Sequence, residues 1–84
     1  MLISGQLRAA RALLHWSARD LAQRAGVHIA TVQRMESGNG LVRGTVQTLA
    51  KIQNALEDAG VEFTSHNDYP GVRLNKRPQA SDRR

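Results

Sequence analysis

The sequence predicts a mainly α chain: four helices followed by a short C-terminal β-hairpin. Three observations carry the prediction. Apolar residues recur at spacings of three and four from Leu7 to Ala59, the interval that puts them on one face of a helix. Gly26, Gly38 and Gly60 stand where successive apolar stripes run out, and glycine takes the left-handed conformation of a helix end without strain. After Gly60 the period drops to two, in "VEFT" and again in "VRL", the alternation of a half-buried strand.

The first helix is expected over residues 4–14, with Ser4 as its N-cap and Leu7, Ala10, Leu13 and Leu14 near one face. "HW" interrupts it. Ser17 then caps a second helix, "ARDLAQRA", whose Asp20 stands at the third position, where a carboxylate favours the helix start. Leu21, Ala22 and Ala25 form its apolar stripe, and Gly26 ends it. A third helix follows at once, from Ile29 to Glu36, with His28 at or next to the cap and Val32 and Met35 facing inward. Gly38 closes it, and "SGNGLVRG" reads as a glycine-punctuated loop. Thr45 caps a fourth helix in which Val46, Leu49, Ile52, Leu56 and Ala59 make the stripe, and Gly60 ends it. In the hairpin Val61 and Phe63 share a face with Val72 and Leu74, while Glu62 and Arg73 point the other way. "SHNDYPG" between the strands is rich in turn formers. Two strands of about four residues are marginal alone in water. Val61, Phe63, Val72 and Leu74 are therefore expected to pack on the helical core or to form a dimer contact.

Eighty-four residues allow one domain with one small core. Without cysteine, no disulfide or thiolate metal site staples the fold. The formal charge of +5 favours an anionic partner, nucleic acid ahead of membrane. Much of that charge lies in the tail, where Lys76, Arg77, Arg83 and Arg84 oppose only Asp82; residues 1–74 keep eight basic and six acidic side chains. The expected organisation is a helical domain over 1–60, the hairpin over 61–74 and a disordered basic tail over 75–84, which has no apolar residue larger than Ala80. "MLISGQLRAARALLHWS" is too short and polar for a secretory signal or a membrane span, so a cytoplasmic location is expected.

Three short helices with only a glycine turn between the second and third make a helix-turn-helix. The tight crossing needs small residues: Ala22 stands four residues before Gly26, and Val27 follows to plug into the core. With Val32 and Met35 as the inward residues of the next helix, this pattern says more than the basic charge does. The stretch "WSARDLAQRAGVHIATVQRMESG" resembles the Cro/C1-type, or XRE-type, helix-turn-helix regulators, and the resemblance covers about residues 4–60. The ending "ALEDAGVEFT" with "GVRL" is similar to small bacterial members with a short β tail. The resemblance implies a lambda-repressor-like four-helix domain that binds double-stranded DNA, and residues 29–36 as its recognition helix.

By that resemblance Ile29, Ala30, Gln33 and Arg34 face base edges. The chemistry suits two of them, since Arg grips guanine O6 and N7 and Gln pairs with adenine N6 and N7. Ile29 and Ala30 offer apolar contact, which suits thymine methyls. The resemblance also implies phosphate contacts for His28 and Thr31, for the helix start capped by Ser17, and for Arg43, the loop's one basic residue. Many relatives carry Gln just after that cap to clamp the backbone; this chain has Ala18, which leaves Arg19 to substitute or leaves the grip weaker. A structural ion pair between Arg11 and Glu36 is implied in the same way. Outside this setting Gln33 and Arg34 on an exposed helix face read as solvated side chains, and His28 as a cap.

No chemistry points to an enzyme. Ser17, His28 and Asp20 make no triad, because Ser17 and Asp20 are committed to capping and no oxyanion site is visible. The histidines lack metal-ligand spacing, and "GNGLVRG" follows a helix rather than a strand, so no metal or phosphate-bearing cofactor is expected. The expected function is a sequence-specific transcriptional regulator, a repressor or autoregulator acting as a homodimer on a pseudo-palindromic operator. The competing class is a protein-interaction module, an antitoxin or antiactivator that binds a protein partner through this fold or its β tail.

Overall fold

The computed structural model describes residues 2–38, 40–66 and 69–75. The elements run α1 (Ser4–Leu14), α2 (Ala18–Ala25), α3 (Ile29–Glu36), α4 (Val46–Asp58), β1 (Val61–His66) and β2 (Tyr69–Leu74). The fold is mainly helical with a C-terminal antiparallel hairpin, as the periodicities require. Of the expected basic tail, residues 76–84 lie outside the described residues.

Each of the helical elements gives its apolar stripe to one core. Leu7 and Ala10 come from α1, Leu21, Ala22 and Ala25 from α2, Val32 and Met35 from α3, Ile52 and Leu56 from α4, and β1 adds Val61. Burying a side chain the size of Leu21 or Ile52 contributes about 1.5–3 kcal/mol. The stripes extend less far than spacing alone indicates. Leu13 is exposed. Val46 is 82 % exposed because it stands in the first turn of α4, about a third of a turn round the helix from Ile52.

The caps differ from expectation at one end. Ile3, not Ser4, is the N-cap of α1, and its backbone N–H is taken by the Gln6 side chain at 2.9 Å. Ser4 is the first helical residue, and its hydroxyl turns away to donate to the Met35 carbonyl at 2.8 Å. At α2 the Ser17 hydroxyl accepts from Asp20 N at 3.0 Å while the Asp20 carboxylate accepts from Ser17 N at 2.8 Å, a reciprocal cap. Thr45 caps α4 through Thr48 N at 3.1 Å. Gly26 ends α2 at φ 74°, where its N–H and that of Val27 both return to Ala22 O. No side chain is needed there and a Cβ would be strained, which is why a glycine stands in the turn.

The hairpin is longer than the alternation suggests. β1 and β2 pair in register from Val61↔Leu74 to His66↔Tyr69, so Ser65, Tyr69, Pro70 and Gly71 belong to strands rather than to the turn; residues 67 and 68 lie outside the described residues. β2 lies along α1 and β1 also meets α4. Val61 is buried, and Phe63 and Val72 are half-buried against the core. Leu74 does not cover the core: it stays 39 % exposed while its pairing partner Val61 fills the place against the helices. The fastening that sequence reading did not reveal is Gln6, buried, whose amide donates to Gly71 O at 3.0 Å and to Thr64 O at 3.5 Å.

Candidate nucleic-acid interface

Helices α2 and α3 meet at Gly26 and Val27, with Ala22, Ala25 and Val32 buried at their crossing. One side of α3 is thereby committed to the core, and what remains outward is Ala30, Gln33 and Arg34, all exposed. Ile29, of the expected reading set, is less open than the other three. It is half-buried and packs against the core, so only part of its side chain is open to a partner. Thr31 is half-buried, and His28 is exposed at the N-cap with no side-chain capping bond.

Two open clefts flank this helix. At its N-terminal end Arg19, Gln23, Val27, His28 and Ile29 surround a depression of about 280 Å³. Arg19 is exposed there, next to the expected place of Ala18, which is half-buried and packs against the core. At its C-terminal end a wider cleft of about 770 Å³ is lined by Arg34 and Arg43 together with Ser4, Ser37 and Gly40. The two arginines lie nine positions apart in sequence, and the loop after α3 brings them to one opening. Two arginines lining one cleft suit a phosphate oxygen or a base edge, since Arg makes bidentate contacts to either.

The loop that carries Arg43 is held by backbone bonds. Ser4 N donates to Gly40 O at 2.9 Å, Val42 N donates to Leu2 O at 3.0 Å, and Ile3 bridges Leu41. At the end of α3, Arg11 and Glu36 form a two-pronged ion pair, Nε to Oε2 at 2.7 Å and Nη2 to Oε1 at 2.8 Å. Arg11 also donates to Trp16 O at 3.0 Å. The Glu36 carboxylate raises the Arg11 pKa above its already high ordinary value, so the guanidinium stays charged. At the other end, the Ser17 backbone N–H, with its hydroxyl, holds the Asp20 carboxyl below its ordinary value.

Contacts that sequence reading passed over include Arg24, in the last turn of α2, whose guanidinium stands 4.8 Å from the centre of the Trp16 ring in the link between α1 and α2. Among the described residues no group of three or more His, Cys, Asp or Glu could hold a metal ion, and no helix is long and apolar enough to cross a membrane.

A search of curated proteins finds no match to the chain. A family model described as helix-turn-helix matches residues 7–57, from the first buried leucine of α1 to the last turn of α4. With that match spanning more than half the chain and the α2–Gly26–α3 geometry inside it, the chain belongs to the Cro/C1-type helix-turn-helix family of DNA-binding transcription regulators.

Proposed function

We propose that the protein is a sequence-specific repressor or autoregulator that binds a pseudo-palindromic operator as a homodimer, with α3 in the major groove. The observation that carries this reading is the outward face of α3, where Gln33 and Arg34 stand exposed beside a cleft that also holds Arg43. In this reading Ala30, Gln33, Arg34 and the open part of Ile29 meet base edges, while Ser17, Arg19, His28, Thr31 and Arg43 hold phosphates. Base contacts specify and phosphate contacts position.

The homodimer follows from size. One module of this kind covers on the order of 600–1,000 Å² of DNA-facing surface, too little for tight selectivity, and symmetry doubles it. Leu41 and Val46, 55 % and 82 % exposed, supply apolar surface for such a contact. So does the exposed Leu74 at the end of the hairpin, whose strands pair within one chain.

Selection of bound sequences from a random duplex pool tests the reading. The expected product is an inverted repeat with half-sites about one helical turn apart, bound with an affinity that falls steeply as salt rises. Sequences without symmetry would remove the homodimer. Failure to enrich any duplex would favour a protein partner, an antitoxin-like role that the exposed Leu41 and Val46 would then serve.

A further inference from the structure

Helix α1 makes an unusual set of bonds to the end of α3. The last carbonyls of a helix have no partner within it and need donors from elsewhere. Ser4 Oγ donates to Met35 O at 2.8 Å and lies 3.2 Å from Ser37 O. Arg8 Nη1 donates to Glu36 O and, at 2.9 Å, to Gly38 O. Four successive carbonyls, from Met35 to Gly38, are thus held from α1. Ser4, Arg8 and Arg11 stand four and three residues apart, so they form one stripe on α1, and Arg11 takes the Glu36 side chain. The positive guanidinium groups also sit at the negative end of the helix dipole. Ser4 itself lines the cleft between Arg34 and Arg43, and its backbone N–H holds Gly40 O in the loop that carries Arg43.

We propose that Arg8, with Ser4, is a positioning residue for DNA binding: from α1 it fixes the end of α3 and the following loop, and so sets Arg43 against Arg34 across the cleft. The proposal rests on the DNA-binding reading. The hydrogen bonds of Arg8 named above go to carbonyls, so its loss acts on DNA through where the loop sets Arg43.

The test is a double-mutant cycle of Arg8→Met and Arg43→Ala in the full chain. Binding is titrated on a duplex recovered by selection, at two salt concentrations, with urea unfolding of each variant alongside. Arg8→Met is expected to weaken binding about five- to tenfold, the scale of one lost charged hydrogen bond. Its salt slope should fall no further than that of Arg43→Ala, and in the Arg8→Met background Arg43→Ala should cost clearly less than alone and take little more from the slope, because neighbours that share a scaffold are not additive. Arg8→Lys should recover part of the affinity. A slope that falls by about one unit in each single variant and by about two in the double would make Arg8 a phosphate contact in its own right and overturn the proposal. Additive effects would overturn it too, leaving Arg8 a stability residue only. If Arg8→Met does not fold, Arg8→Lys and Ser4→Ala replace it in the cycle under the same criteria. A wild type that binds no duplex at all defeats the DNA-binding reading and this proposal together, whereas a binding wild type with an unaffected Arg8→Met defeats the proposal alone.

Discussion

Glu36 is only 7 % exposed and spends both carboxylate oxygens on Arg11. Removing one partner of such a pair leaves the other partly buried and unpaired. Glu36→Ala is therefore expected to cost about 3 kcal/mol in urea unfolding, and Glu36→Gln distinctly less because it keeps one acceptor. Equal losses for the two variants would show that side-chain volume, not charge, is what matters there. His15 is the residue-scale opposite, a place where the chain accepts strain. It ends α1 at φ 58°, the left-handed region, and it is the one non-glycine with positive φ among the described residues. His15→Gly should relieve that conformation and stabilise by about 0.5–1 kcal/mol, read as a rise in Tm of a few degrees. A fall in Tm would mean that the imidazole makes a contact worth more than the strain. Neither feature could be read from composition. The ion pair was legible only through family resemblance, because Arg11 and Glu36 lie far apart in the sequence, and "HW" says helix end without saying which residue turns left-handed.

At the scale of elements, α2 begins on a cap that titrates. The Ser17 N–H, with its hydroxyl, lowers the Asp20 pKa in the folded state. A lowered carboxylate contributes stability above its unfolded value of about 3.9 and loses it as pH falls through the lower folded value. Stability measured across acid pH should therefore fall more steeply in the wild type than in Asp20→Asn. Parallel curves would show that the cap is not coupled to folding. The hairpin makes the second element-scale test. Gln6 is buried and bonded to the carbonyls of Thr64 and Gly71 and to Ile3 N, so Gln6→Ala leaves those groups without their donor or acceptor. A cost of about 1–3 kcal/mol is expected, with faster amide exchange across 61–66 before the α2–α3 amides change. Uniform acceleration would place Gln6 in the global core instead. The capped helices were legible because capping is local: Ser17 with Asp20, Thr45 with Thr48 and the glycine at 26 act within four residues. Ser4 was misread because its hydroxyl had a better offer 31 residues away. The strand ends were misread because Pro70 and Gly71 look like turn residues, yet a two-stranded hairpin has edges where a missing N–H costs nothing.

At the scale of the molecule, α1, α2, α3 and the loop before α4 contribute to one face. α2 and α3 present the outward residues, α1 holds the end of α3, and the loop before α4 returns Arg43 to the same cleft. The helical order and the turn between α2 and α3 were visible in the spacing of apolar residues and in Ala22–Gly26–Val27. The division of labour on that face was not, since Ile29 and Ala30 look alike in sequence and only the packing makes Ile29 half-buried. The measurement that bears most directly on the account is a titration of wild type, Gln33→Ala, Arg34→Ala and Arg43→Ala against the preferred duplex and a scrambled one at two salt concentrations. Gln33→Ala and Arg34→Ala should each cost about 1–3 kcal/mol on the preferred duplex and little on the scrambled one, while Arg43→Ala should weaken both and lower the salt slope by about one unit. If Gln33→Ala and Arg34→Ala leave the preference for the selected duplex intact, α3 does not read DNA and the account is wrong at its centre.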